Sequence, residues 1–279
     1  MNSYTSKTLV IEIDIEGEHL VFDGFACSVR IKRQGVPELP SLQARLWGLS
    51  EARMAQLTML SFDALSLKRN RIIVKAGEGA RLSKVFEGEI TNSAPDFNSA
   101  PSPVLNIEAI TAGFAKLEPT PPVSVNGSQS AASLVESFAK QAGFNFRNEG
   151  VTASLSDCVI NGDPISKAEW VATAVGADLI FEDDTVVLLP ADKARGQTTV
   201  TAINPQNGQI GYPSFDQFGI RCKAFFRPDL SIGDIVQITS RLPRATGSWR
   251  LTSIEHSLSA NLPNGGDWLT DFAGTWFNG

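Results

Sequence analysis

From Asn204 to Phe277 apolar and polar residues alternate almost without a break, and turn residues punctuate the run at short intervals. Within Gly219–Phe226, the residues Ile220, Cys222, Ala224 and Phe226 fall on one side and Arg221 and Lys223 on the other. That period of two marks a half-buried strand. Arg227-Pro228-Asp229 interrupts it, because proline has no N–H to give a ladder. Gly233-Asp234 turns the chain into the apolar run Ile235–Ile238, and Gly247 opens another in which Trp249 and Leu251 alternate with Arg250 and Thr252. Beyond the polar Asn264-Gly265-Gly266, a last strand carries Trp268, Phe272 and Trp276 on one face. Strands this short and this close predict a small antiparallel sheet that curls into a barrel.

The first 118 residues carry the same pattern. Leu9, Ile11, Ile13 and Ile15 alternate with Val10, Glu12 and Asp14, and Gly17 turns the chain into His19–Phe22. Phe25, Cys27, Val29 and Ile31 form another apolar face, and Leu42, Ala44 and Leu46 the next. Ser50 is placed to cap a short helix running to Leu60, since its hydroxyl accepts an otherwise orphan N–H. Strands follow at Arg71–Lys75, Val85–Thr91 and Val104–Thr111, with a turn at Gly77-Glu78-Gly79 and a polar loop at Pro95–Pro103.

Between these β-rich stretches the pattern changes. Glu118-Pro119-Thr120-Pro121-Pro122 is a stiff, extended connector. In Ser130–Ala142 the residues Ala131, Leu134, Val135, Phe138 and Ala139 recur at helical spacing, and Gly143 is placed to end that helix. Phe144–Phe146 and Cys158–Ile160 read as short strands. Asp163 caps and Pro164 opens a second helix that stops at Gly176. Asp178–Phe181 and Thr185–Leu189 form a hairpin around Glu182-Asp183-Asp184, and Pro190–Gln197 leads out. The chain therefore reads as a mainly β fold with an α+β insert at 119–196.

Composition sharpens this picture in three ways. The 279 residues, 42% hydrophobic, suffice for two or three packed cores. A 19% share of charged residues is a little low for a fully solvated surface and fits either an ordinary β-rich protein or one whose faces are covered by partners. A net charge of −6 argues against tight or sequence-specific nucleic-acid binding, which needs clustered Lys and Arg. Cys27, Cys158 and Cys222 are odd in number and widely spaced; Cys27 and Cys222 sit in alternating apolar sets and read as buried small hydrophobes in a reducing compartment. Glu12, Asp14 and Glu16 break up the N-terminal apolar residues, so a strand is expected there and not a signal peptide. No apolar run reaches the length of a membrane helix.

No catalytic residue, cofactor site or metal site emerges. His19 and His256 lie in separate strands and read as surface or interface residues, and two histidines without a cysteine pair supply a zinc site poorly. Gly77-Glu78-Gly79-Ala80 lacks the Lys-Ser/Thr of a phosphate loop. Asp183-Asp184 reads as a solvated turn, since a calcium loop needs more oxygens at set spacing. Neither G-x-S-x-G nor H-E-x-x-H occurs. The aromatics are more informative: Trp47, Trp249, Trp268, Trp276 and Phe277 fall on expected strands, where most read as core residues and the competing reading is oligomer contact, since large aromatics are enriched at interface centres. Trp268, Trp276 and Phe277 are the foremost interface candidates, because a C-terminal strand readily forms a sheet edge.

Several stretches carry a family resemblance. The glycine-led strand ending in "FFRPDL", then "IGDIVQI", then "GSWRLTSIEHSLS" and "GGDWLTDFAGTWF" resemble the C-terminal part of the baseplate hub proteins of contractile-tailed phages. "VFEGEITNS" followed by "VLNIEAITAG" resembles their N-terminal part, so the likeness reaches both ends of the chain. That late-control family is similar in fold to the hub part of type VI secretion spikes. The resemblance implies a homotrimer in which each chain supplies two tube-like β-barrel domains, 1–118 with one short helix and 197–279, flanking the small α+β domain 119–196. Six barrels around a DNA channel would then match the six-fold tail tube, or a tube initiator, above and a three-fold central spike below. The insert would meet spike or wedge proteins at the outside or lower rim. Such a protein is a virion component made in the host cytoplasm, a symmetry adaptor and not an enzyme. The competing readings are a cell-wall hydrolase and a monomeric carbohydrate-binding module of the tail. Peptidoglycan turnover would favour the first, and a monomer by light scattering the second.

Overall fold

The computed structural model describes residues 6–15, 17–59, 70–79, 81–98, 102–196 and 200–277. Leu60, Ala80 of the glycine turn and residues 99–101 of the polar loop lie outside them, and the first helix, expected to run to Leu60, stops at Leu57, because Thr58 is extended and Met59 bonds across to Ser93. The chain is mainly β, as its alternation predicts. Its first part holds β1 (Lys7–Ile15), β2 (Glu18–Phe22), β3 (Cys27–Gln34), β4 (Ser41–Trp47), helix α1 (Glu51–Leu57), β5 (Arg71–Glu78), β6 (Arg81–Asp96) and β7 (Val104–Ile110). The insert holds β8 (Val123–Ser130), α2 (Ala131–Gln141), β9 (Asn145–Asn148), β10 (Ser154–Ile160), α3 (Pro164–Ala174), β11 (Ala177–Glu182) and β12 (Thr185–Pro190). The last part holds β13 (Thr201–Ile203), β14 (Gln209–Phe215), β15 (Ile220–Phe225), β16 (Ile235–Ile238), β17 (Gly247–Ala260) and β18 (Trp268–Trp276).

The strands outside the insert form one sheet, in the order β14-β15-β18-β17-β3-β4-β7-β6-β5-β1-β2, with β16 and β13 branching from β17. The expected barrels are not closed by hydrogen bonds: among the described residues no ladder joins the two ends of this path. The reason lies in β17. Its 14 residues give β18 one whole edge and divide the other edge between two partners. Gly247–Arg250 pairs with β16, and Ser253–Ala260 pairs with β3. The first and last parts of the chain are therefore joined through a shared strand. The register breaks between Leu251 and Ser253 against β18, where the extra residue adds the local bend such a strand needs.

Three cores follow. Leu258, Ala260 and Trp268 join the N-terminal core of Ile11, Ile31, Leu46, Val74 and their neighbours. Leu251, Ile254 and Phe272, on the same two strands, belong to the C-terminal core with Ile203, Val236 and Ile238. The insert is bound in as firmly. β12 reads as the continuous apolar run Val186–Leu189, the mark of a strand buried on both faces. Val186 and Leu188 pack on α2 and α3 in the insert's own core, while Val187 and Leu189 join the C-terminal core. Charged contacts seal the joints. Arg250 donates to Asp178 (2.6 Å) and to the Lys193 carbonyl (2.7 Å). Asp183 lies 3.7 Å from Arg33 and 3.6 Å from Lys84, so the expected solvated turn is instead a clamp between insert and N-terminal sheet.

Local caps agree with their sequence signals. Ser50 accepts from Arg53 N and Asp163 from Ser166 N, and Pro164 opens α3. β6 runs on to Asp96, through part of the expected polar loop. β8, β13 and β14 were not legible: of β8 only Val125 is buried, β13 has three residues, and Gly211 and Pro213 obscure β14.

Candidate functional site

The described residues hold no group of three or more His, Cys, Asp or Glu side chains arranged to bind a metal. The two histidines have separate roles. His19 is exposed and pairs with Asp14 at 2.6 Å. His256 is not the surface or interface residue expected from sequence: it is 1% exposed, edge-on to Phe226, in the sheet between Ile31 and Thr270. Thr270 Oγ1 accepts from Arg227 N (2.9 Å), which leaves its hydroxyl proton for His256 Nδ1 at 2.9 Å. Burial lowers the imidazole pKa from 6.5 to about 3; Arg33 adds to the fall and Asp229 opposes it. The unfolded chain thus binds a proton below pH 6.5 that the native chain refuses. The stability tied to neutral His256 is complete above pH 6.5 and drains away as pH falls towards 3, at up to ~1.4 kcal/mol per pH unit. Urea unfolding from pH 7 to 4.5 should show this slope, and His256→Gln should flatten it. Cys27 and Cys222 are buried, and burial pushes each thiol up to about 11, as suits inert core residues.

What the molecule offers is surface. One face of the sheet is largely polar across β15, β18, β17, β3 and β4. Successive outward positions are Arg221, Lys223 and the exposed Phe225, then Leu269, Asp271 and Ala273, then Ser253, Glu255, Ser257 and Ser259, then Ser28, Arg30, Lys32 and Gln34, then Ser41, Gln43, Arg45 and Trp47, so the middle of the face is polar and apolar residues stand towards its margins. Five cations (Arg30, Lys32, Arg45, Arg221, Lys223) stand against two carboxylates (Glu255, Asp271), in a chain whose net charge is −6. Arg30 lies 3.1 Å from Glu255 and Lys223 3.5 Å from Asp271, so part of the positive charge is neutralised in place.

The four aromatic interface candidates are not brought together. Trp268 is 5% exposed and packs on Phe226 with ring centroids 5.3 Å apart, inside the chain's own core. Trp276 is 51% exposed and stands edge-on to Trp249 at 5.0 Å. Gly247 makes that slot, since a Cβ there would lie 2.5 Å from Trp276 Cη2. Phe277 follows it, half-buried, its N–H bonded to Ser248 O. Trp47 lies near the other end of the same strand system, half-buried, lining a hollow with Phe25, Leu49, Pro103, Leu262 and Pro263.

Sequence reasoning missed the aromatics beside Trp276. Phe215 (50% exposed) approaches Trp249 at 6.4 Å, and Phe218 (73% exposed) sits at the tip of the β14–β15 turn. A phenylalanine between turn formers, as in Asp216-Gln217-Phe218-Gly219, was the available signal. These residues do not mark a site for strand addition. Gly211 (φ +67), Pro213 and a register break between Ile210 and Ser214 spoil the free edge of β14, a common way to blunt a sheet edge. They offer side chains instead.

Solved structures share this arrangement. The 43 kDa tail protein of prophage MuSo2 from Shewanella oneidensis superposes with a TM-score of 0.66 at 11% identity, over 96% of both chains. A tail protein from Neisseria meningitidis MC58 gives 0.67 at 12% identity, again over 96% of both. The E. coli c3393 protein, a type VI secretion component described as similar to the T4 tail proteins gp27 and gp5, gives 0.62 at 9% identity, over 95% of this chain and 77% of that one. At such identities these likenesses show the fold. No curated protein sequence matches the chain significantly. The family model described as "Baseplate hub gp41" matches residues 41–262, most of the sheet and the whole insert. On that match the chain belongs to the Baseplate hub gp41 family.

Proposed function

We propose that the protein is a non-enzymatic, structural hub of a contractile phage tail, assembled as a homotrimer and carried in the virion. In this reading residues 1–118 and 197–279 are two tube-like units of one fold, and residues 119–196 form the outer α+β element. Three chains present six such units to the tail tube or its initiator on one side and a three-fold central spike on the other. Wedge proteins and the spike are the partners of the insert. The observation that carries this reading is the hub-family match over residues 41–262. The shared strand β17 supports it, because a stiff sheet through both units holds them at one fixed angle, as a ring of six requires.

The polar face across β15–β4 is the channel wall in this scheme. Its serines and glutamines and its half-neutralised cations suit a surface that DNA passes without being held, since retention grows with the number of phosphates neutralised. The test is direct. The purified full chain should give a light-scattering mass three times its 30.0 kDa, and particles viewed down their axis should show an open three-fold ring. A mass of one chain at every concentration reached, or particles without a channel, would refute it.

A further inference from the structure

We infer that the hub's subunits join head to tail, through two different surfaces at opposite ends of strand β17. The inference rests on the trimer reading and names its contact. At the N-terminal end of β17 stand Phe215, Phe218 and Trp276, all half exposed or more, with Leu242 (41% exposed) on the loop that leads into the strand. Arg241 and Arg244 on that loop are exposed and have no ion-pair partner among the described residues. At the other end, just past Ala260, lies the apolar hollow of Phe25, Trp47, Leu49, Leu262 and Pro263. Asp23 and Glu51 flank it, exposed and likewise without an ion-pair partner among the described residues. The neighbouring carboxylate, Glu18, is already held by Arg53 (3.5 Å) and Gln56 (2.6 Å).

One end is thus aromatic and basic, the other hollow, apolar and acidic. Projecting aromatics ringed by charge are the usual anchors of an interface, and complementary rims select and orient the partner. The two surfaces cannot meet within one molecule, because 14 residues of strand span roughly 45 Å. A second copy supplies the missing half. Such a contact is heterologous, so each chain keeps one free end and the assembly closes as a ring when the rotation permits.

Charge reversal tests this on the full-length chain, with fold checked by circular dichroism. Arg241→Glu/Arg244→Glu, and separately Asp23→Arg/Glu51→Arg, should each weaken self-association at least about tenfold. The four substitutions together in one chain should restore it. Mixing the two double variants should restore association, with the two variants alternating, but no closed three-membered ring should be fully matched, because two of its contacts pair opposite charges and the third sets like charges together. Phe218→Ser, which changes no charge, should weaken assembly as well. An unchanged oligomer in both double variants would place the contact elsewhere and leave the trimer reading standing. Self-association of only one double variant would mean a like-to-like contact and overturn the head-to-tail arrangement. A wild-type chain that stays monomeric at every concentration reached would overturn the trimer reading and this inference with it.

Discussion

Trp268→Ala should lower the unfolding free energy by about 3–5 kcal/mol, the usual range for truncating a buried tryptophan. Trp268→Phe should cost only about 1 kcal/mol. The indole Nε1 is buried without a hydrogen-bond partner, so phenylalanine removes an unsatisfied donor along with part of the ring. Trp268 also packs on Phe226, beneath Lys7 at 5.8 Å, and joins the N-terminal core from the last strand of the chain. Its loss should therefore loosen the joint between the two ends of the sequence. Trp276→Ala should behave in the opposite way. With half its surface exposed to solvent, it should cost about 1 kcal/mol or less in the folded chain while weakening assembly. Urea unfolding and light scattering on the same three variants check both halves of the statement. Equal destabilisation by Trp268→Ala and Trp276→Ala would sink the distinction.

The second large effect concerns Lys167, fully buried on α3. Its amine donates to Thr120 Oγ1 (2.6 Å) and to the carbonyls of Pro121 (2.5 Å) and Thr120 (3.4 Å), and it lies 5.8 Å from the centre of the Phe138 ring. The proline connector is stiff, but stiffness alone does not say where it lies; this lysine pins it to the insert. Lys167→Ala removes both stem and amine and should cost about 3–5 kcal/mol, in the range of a large-to-small core truncation. Lys167→Met keeps the stem and should cost about 1–3 kcal/mol, the worth of charge-assisted hydrogen bonds. Both should make the connector near Lys116 more open to trypsin. A connector as resistant as in the wild type would show that its prolines suffice.

The elements that were legible share a cause. β1, β3, β15 and the stretch from Ile254 to Ala260 alternate because one of their faces meets a core and the other meets solvent or a polar layer. Where that condition failed, so did the reading. β8 lies almost wholly at the surface, and β14 combines exposed aromatics with Gly211 and Pro213. His256 was misjudged because a polar residue on a strand ordinarily faces out. A neighbouring threonine and Phe226 satisfy its ring within the sheet. The surface residues proposed to join subunits were only half legible. Trp47 and Trp276 stood out as large aromatics on strands, whereas Arg241, Arg244, Asp23 and Glu51 acquire meaning only from where the ends of β17 place them.

By itself the amino-acid sequence determined the mainly β character, the two helices of the insert with their caps, the inert buried cysteines and the likeness to the hub family. Each rests on local spacing and residue type, which a linear chain displays openly. Only the tertiary structure decided that β17 belongs to both halves, that β12 links the insert's core to the C-terminal one, and that Trp268 is core while Trp276 is surface. Those outcomes depend on which strand lies beside which. Trp268 and Trp276 sit on the same face of one strand, and what separates them is the neighbour each meets: Phe226 in the N-terminal core for one, the open end of the sheet for the other.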